Sequence, residues 1–508
     1  MTESTAALAP AVRETHVSVL FFVGDRAYKL KKPVQLDFLD LSRRADRERA
    51  CEREVELNRR LAPDVYLGVS DVLGTDGSPC DHLVVMQRMP EGRRLSTLVR
   101  QQEASDECIR DVARVIAGFH SRVETSPEIA SAGTVESVLS NWESNFATMQ
   151  PFVGATLDPD DAARVETLSR RYLAGRGPLF AERIAHGKVR DGHGDLLADD
   201  IFCLDDGPRV LDCIEFDDRL RHGDVLADVA FLAMDLERVG APELGRRFLG
   251  WYREFSGETY PMTLAHHYIA YRAHVRSKVA CLRMGQGDAA AAADAARLLA
   301  IARDHLERGR VTLTLVGGLP GTGKSTLATD LADRLGWTIL RSDEIRKDLA
   351  GLGHTTRRDD AFGEGLYDEG STDHTYAALL ERARSLLALG EPVILDASWN
   401  ASRRRDAARA VADATASEIL EIRCDAPAEI VSARLARRLA SGTDASDATG
   451  AIAARMATTT DPWPTAATVD TSSSREHATA AAMTLLHRAP DSRPSAVAHS
   501  SMHAEESS

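Results

Sequence analysis

Gly318-Leu319-Pro320-Gly321-Thr322-Gly323-Lys324-Ser325-Thr326 is the stretch on which the fold turns. It fits G-x4-G-K-[ST]. The apolar run VTLTLVGG (311–318) leads into it and the amphipathic run STLATDLADRLG (325–336) leads out, which is the strand–loop–helix setting that gives the pattern meaning. Glycines let successive backbone N–H groups turn inward around phosphate oxygens, and the positive end of the helix adds to their attraction. Lys324 is spaced to reach the terminal phosphates of a nucleotide, and Ser325 to offer its hydroxyl to Mg²⁺. A glycine-rich turn with an incidental lysine is the plain alternative. It does not account for strand, spacing and helix together. Only seven of the 62 Lys and Arg residues are Lys, so a lysine inside a motif carries extra information here.

Downstream, the apolar runs TILRS (338–342), PVILDAS (392–398), EILEIRC (418–424) and ATVDT (467–471) alternate with helical runs. That alternation predicts a doubly wound parallel α/β domain over 310–487. Asp343 follows the second strand, at the carboxyl edge of the sheet where open α/β folds bind ligands. A carboxylate there can accept the proton of a substrate hydroxyl, although an N-cap for EIRKDLA (344–350) is the structural alternative. Arg346, one turn on, is a candidate substrate contact. Asp396 ends an apolar strand, placed for the Mg²⁺ shell or else for a turn. The helical run VSARLARRLASG (431–442) carries Arg434, Arg437 and Arg438; Arg434 and Arg438 are candidate phosphate contacts, against the alternative of a solvated face.

Upstream, THVSVLFF (15–22), the turn Gly24-Asp25 and RAYKLKK (26–32) predict a β-hairpin, and SRRADRERACEREVELNRRLA (42–62) a helix. Lys29 and Lys31 share a strand face, and Glu54 on the following helix offers them a carboxylate. HLVVMQRM (82–89) predicts a strand, and 95–173 and 222–283 are helical in period. His193-Gly194-Asp195 is followed by Asp200, by the turn Asp206-Gly207-Pro208 and by Asp212. A catalytic Asp, a metal ligand five residues on and a second ligand beyond a hairpin is the spacing of kinase-like phosphotransferases. Asp228 is expected to cap the catalytic loop. Residues 1–14 read as loose, 284–309 as a connecting helix and 488–508 as a disordered tail.

The segment 311–472 resembles the P-loop kinases grouped with gluconate kinase, polynucleotide 5′-kinase and zeta toxins. The resemblance rests on GLPGTGKST, Asp343-x-x-Arg346, Asp396 and the arginines near 434–438, and it implies ATP, Mg²⁺ and phosphorylation of a hydroxyl. Residues 15–283 resemble the aminoglycoside phosphotransferases, a protein-kinase-like fold. That resemblance implies Asp195 as catalytic base, Asp200 and Asp212 as metal ligands, and Lys29 or Lys31, with Glu54, as the nucleotide contact. Position 200 is Asp where that family has Asn. A single hairpin precedes Lys29, and no G-x-G-x-x-G covers the phosphates, so a short N-lobe is expected. The fusion resembles the family of bifunctional aminoglycoside phosphotransferase and P-loop ATP-binding proteins, through CEREVELNRRLAPDVYLGV (51–69), HGDLLADD (193–200), LDCIEFDDR (211–219) and GLPGTGKSTLA (318–328).

The 508 residues are too many for one core, and a net charge of −15 argues against a general nucleic-acid or anionic-membrane binder. Seven scattered cysteines without a C-x-x-C pair argue against zinc or disulfide frameworks and fit a reducing cytoplasm. The chain has no signal-peptide pattern and no apolar run near the roughly 20 residues that span a bilayer. The expected partner is a small-molecule hydroxyl acceptor. An ATP-responsive regulatory protein, a nucleic-acid 5′-kinase and a zeta-toxin-like nucleotide-sugar kinase are the other readings; oligomeric state is left open.

Overall fold

The computed structural model describes residues 10–15, 17–36, 39–353, 368–441 and 450–487. The tail expected at 488–508 lies outside them, as does the side chain of Arg438. The chain divides into two compact units: 1–311 with 386–391 and 414–417, and 312–385 with 392–413 and 418–508.

The first unit opens with a five-stranded antiparallel sheet, in the order Ala11–Glu14, Ser18–Val23, Arg26–Lys31, Pro79–Gln87, Tyr66–Leu73. Gly24, at φ +57°, makes the tight turn between the second and third strands, and Phe22 faces Ala27 across it. Two expectations are corrected here. Ala11–Glu14 is not loose but pairs with Val19–Phe22, so two strands precede the lysine strand and the lobe is not short. Neither Ala11–Glu14 nor Tyr66–Leu73 shows an apolar alternation that would have announced it.

Helix Arg44–Asn58 lies against this sheet through Cys51 and Val55, which pack with Val65, Tyr66, Val84 and Met86. The same buried face carries Glu54 under the sheet. The rest of the unit is helical. Val225–Arg238 is its central helix, buried from Val225 through Leu236. Met262–Gly285 packs on it and on Ala291–Arg308. The stretch 284–309 is thus no bare connector: Leu298 and Leu299 are buried, and the Ser277 hydroxyl donates to the Ala295 carbonyl at 2.8 Å.

Cys108, in the first turn of helix Asp106–Arg122, and Cys203, on strand Ile201–Leu204, form a disulfide. This corrects the expectation that the scattered cysteines form no disulfide framework. The two cysteines are 95 residues apart in sequence, and only the packing of helix against hairpin makes them neighbours.

The second unit holds a parallel sheet in the order Thr338–Arg341, Val393–Asp396, Thr312–Gly317, Glu418–Asp425, Ala467–Asp470. All five expected strands are present. Thr312–Gly317 is buried along its whole length, as a central parallel strand must be. Val316 and Arg341 both stand in register with Asp396, so three strands end together at the carboxyl edge.

Candidate active sites

Strand Thr312–Gly317 passes through the 318–323 loop into helix Lys324–Leu335. Gly318, Gly321 and Gly323 have φ of +143°, +85° and +87°, a backbone that side chains rarely adopt. A Cβ on Gly318 would meet the Cys424 carbonyl oxygen at 2.7 Å, and one on Gly321 the Val431 side chain at 2.9 Å. The Thr322 hydroxyl closes the loop on itself by donating to the Leu319 carbonyl at 2.7 Å, and Thr471 Oγ1 donates to the Thr322 carbonyl at 2.5 Å. Pro320, within the loop, is buried, and Thr326 is exposed on the helix.

Lys324, Ser325 and Asp396 converge. Asp396 is 5 % exposed, and burial raises its pKa against the opposing pull of Lys324 and a hydrogen bond from Ser325. Asp343 adds to the rise and Arg341 opposes it, with Arg341 Nε 3.9 Å from Asp396 Oδ2. Asp396 Oδ1 is buried without a hydrogen-bond partner among the described residues. An acceptor left bare beside a serine hydroxyl fits a Mg²⁺–water shell.

Asp343 sits in the first turn of helix Ser342–Leu349, half-buried; Arg341 holds the cap position without a side-chain cap. The N-cap alternative for Asp343 is therefore not what the structure shows. Arg346 is buried and donates to Thr372 Oγ1 at 3.2 Å. Arg434 Nη2 donates to the Thr471 carbonyl at 2.6 Å, while its buried Nη1 has no hydrogen-bond partner among the described residues and lies beside Gly323. Arg437 is exposed.

In the first unit, Lys29 Nζ bonds Glu54 Oε1 and Asp212 Oδ1, each at 2.8 Å. Lys31 Nζ bonds Glu54 Oε2 at 2.7 Å and also Glu215. Both candidate lysines thus share one buried carboxylate. Burial works against the charge on Lys29, but Asp212, Glu54 and Glu215 outweigh it and hold the ammonium firmly protonated. Lys29 in turn is the main reason Asp212 stays below the usual carboxylate range.

Asp195, Asp200 and Asp212 come together around the hairpin Ile201–Leu204 and Gly207–Val210. Asp212 has φ +63°, a left-handed conformation costing on the order of 1–3 kcal/mol in a non-glycine residue. Its own N–H donates to Tyr66 Oη at 3.2 Å, and the next N–H, of Cys213, to Asn58 Oδ1 at 2.9 Å. These bonds hold the strained turn. Burial, then the Asp212 charge, pushes Asp195 up to about 6 against the opposing Arg276. Burial and the neighbouring Asp212 and Asp195 push Asp200 well above the usual range, which is the charge crowding expected of an Asp at this position. Among the described residues no group of three or more His, Cys, Asp or Glu could by itself hold a metal ion. Mg²⁺ with a nucleotide needs fewer, since one or two carboxylates share it with phosphates and water.

Asp228 takes the expected capping place. Its Oδ2 accepts from the His193 N–H at 2.7 Å, and its Oδ1 from the Gly194 N–H at 2.9 Å. Sequence reading assigned no role to Glu215, Arg276 or Arg341. Glu215 lies in a segment already singled out, where a second acid three residues after Asp212 was the available signal. Arg276 comes from the distant helix Met262–Gly285 and had none.

The phosphotransferase enzyme family model matches residues 23–264, and an AAA domain model matches 313–463. An uncharacterized protein of Mycobacterium tuberculosis is 42 % identical over 465 residues, covering 92 % of this chain and 93 % of its own. Among solved structures, a choline/ethanolamine kinase family protein from Mesorhizobium loti covers 60 % of this chain and 90 % of its own at 13 % identity and TM-score 0.37. A gluconokinase from Sinorhizobium meliloti covers 35 % and 91 % at 18 % identity and TM-score 0.25.

Proposed function

Because the chain belongs to the family that joins a phosphotransferase domain to an AAA-type P-loop kinase domain, we propose that it transfers the γ-phosphate of ATP to a hydroxyl of a small molecule. The observation that carries this reading is the convergence of Lys324, Ser325 and Asp396 at the mouth of the glycine loop. Loop amides and Lys324 bind and orient the phosphates. Asp343 takes the acceptor proton, and Arg346 contacts the acceptor. Arg434 supplies charge beside the loop where negative charge builds during transfer. Ser325 and Asp396 would hold Mg²⁺, which would supply positive charge against that of the phosphates.

The N-terminal site is the second transfer centre of this proposal. Lys29, set by Glu54, orients the nucleotide phosphates; Asp200 and Asp212 would hold a cation between them; Asp195 accepts the proton of the attacking hydroxyl. Both centres run the same balanced step. The acceptor oxygen bonds to the γ-phosphorus, the bond to the β–γ bridging oxygen breaks, ADP leaves, and the proton passes to the aspartate.

Labelled ATP incubated with fractionated metabolite pools tests the proposal. Wild type is expected to label acceptors, Lys324→Ala to lose those made by the P-loop site, and Asp195→Asn those made by the other. Unlabelled pools with the wild-type chain, alongside clear ATP binding, would leave a nucleotide-responsive binding protein instead.

A further inference from the structure

The helix Met262–Gly285 brings two arginines, four residues apart, towards Asp195. Arg276 Nη1 lies 3.9 Å from Asp195 Oδ1, beyond hydrogen-bond length. Its side chain keeps 28 % of its surface open, and no hydrogen bond engages its guanidinium among the described residues. Its five N–H donors are thus free to meet a ligand's oxygens. Arg272 is pinned differently: its Nε donates to the Ala227 carbonyl at 3.0 Å and its guanidinium lies over the Phe231 ring at 4.8 Å. Its positive charge is nonetheless felt at Asp195, after that of Arg276.

The acids in this region divide by what they already hold. Asp212 is bonded to Lys29, Asp228 to the His193 and Gly194 amides, and Asp235 to the Ala198 amide and Arg238. Asp200 crowds against Asp195 and Asp212. None of these carboxylates is bonded to Arg276.

We propose that the hydroxyl compound phosphorylated at Asp195 carries an oxyanion group, a carboxylate or a phosphate, received by Arg276 with the charge of Arg272 behind it. The proposal rests on the reading of the N-terminal site as a phosphotransferase. An acceptor hydroxyl must come within about 2.6–3.2 Å of the base. A guanidinium standing 3.9 Å from that base is then within reach of a substituent one or two bonds from the hydroxyl. Planar paired donors suit carboxylate and phosphate oxygens. A polycationic acceptor such as an aminoglycoside would bring its ammonium groups against two like charges.

The plain alternative is that Arg276 only offsets the charge of Asp195. The experiment separates the two. The full-length Lys324→Ala chain, which isolates the N-terminal site, is given Mg·ATP and one of D-glycerate, D-gluconate, glycerol 3-phosphate, glycerol, D-glucose or kanamycin. ADP release is followed, and binding of each compound is measured calorimetrically with a non-hydrolysable ATP analogue present. An anionic member is expected to turn over with kcat/KM at least about tenfold above its neutral counterpart. Glycerate and gluconate report the carboxylate; glycerol 3-phosphate reports the phosphate. Adding Arg276→Ala should raise the KM of the anion about tenfold or more with kcat changed less than about threefold, and Arg276→Lys should recover part of it. Equal or better use of glycerol, glucose or kanamycin overturns the proposal. So does an Arg276→Ala change that lowers kcat and shifts the pH profile equally for charged and neutral acceptors. Anion binding lost in Arg276→Ala, without turnover of any compound, upholds the oxyanion site and removes the phosphotransferase reading beneath it. Absence of anion binding removes the oxyanion site.

Discussion

At the scale of single residues, Asp195 carries the sharpest expectation. Burial raises its pKa to about 6, and a general base works only when deprotonated. Transfer by the N-terminal site should therefore fall as pH drops through about 6 and level off above it; kcat/KM against pH in the Lys324→Ala chain measures this. Asp195→Asn should reduce transfer by roughly 10²–10⁴-fold while ATP binding persists. A flat profile between pH 5 and 8 would remove Asp195 as the base. At the other site, Ser325→Ala should weaken Mg²⁺-dependent nucleotide binding more than binding in EDTA, because the hydroxyl lost is the one beside the bare oxygen of Asp396. Isothermal titration with and without Mg²⁺ reads the difference.

Among the elements, the cap on the His193–Asp195 loop is the most exposed to test. Asp228 satisfies the His193 and Gly194 amides, and it accepts from His120 Nε2 at 3.2 Å. Asp228→Ala strands two buried donors at about 1–3 kcal/mol each, so urea unfolding should show a loss of about 2–6 kcal/mol. The pKa of Asp228 is lowered: burial opposes the carboxylate, but His120 and His193 outweigh it. The stabilisation is thus fully present above the unfolded value near 4 and is lost as pH falls below it. A wild-type minus Asp228→Ala difference that stays constant from pH 7 to 3 would contradict this.

Elements with a local pattern were legible in sequence. The glycine loop, its five strands and the Asp195–Asp200–Asp212 spacing are written in short stretches, where chemistry and periodicity coincide. Ala11–Glu14 was not, because an exposed edge strand has no buried face to impose alternation. The Lys–Glu pair was legible as a possibility, since Lys29 and Lys31 alternate and Glu54 lies on the next helix. That both lysines would meet the two oxygens of one carboxylate depends on how that helix is rotated against the sheet. Arg276 and the Cys108–Cys203 bond depend on packing between distant helices and strands, which no local window contains.

For the whole molecule, the decisive feature is that the first unit is not continuous in sequence. It includes 386–391 and 414–417. Arg176, 1 % exposed, donates to the Leu387 carbonyl and, at 3.2 Å, to Ser417 Oγ; Thr263 Oγ1 donates to the Gly390 carbonyl at 2.6 Å. A chain ending at residue 311 leaves the Arg176 guanidinium without these acceptors. It should unfold at a lower temperature than the same unit in the full-length chain, by several degrees for a loss of about 2–3 kcal/mol. Differential scanning calorimetry of the two proteins decides it, and an unchanged transition would mean that the returning segments do not stabilise the unit.

The same feature sets a schedule for synthesis. Domains of most multidomain chains mature one after another as they leave the ribosome. Here the N-terminal unit lacks the contacts of 386–391 and 414–417 until residue 417 has emerged, by which time most of the P-loop sheet has been made as well. The nascent chain must complete its earlier half with material from its later one, so a ribosome stalled between the two would release an N-terminal unit still waiting for its last pieces.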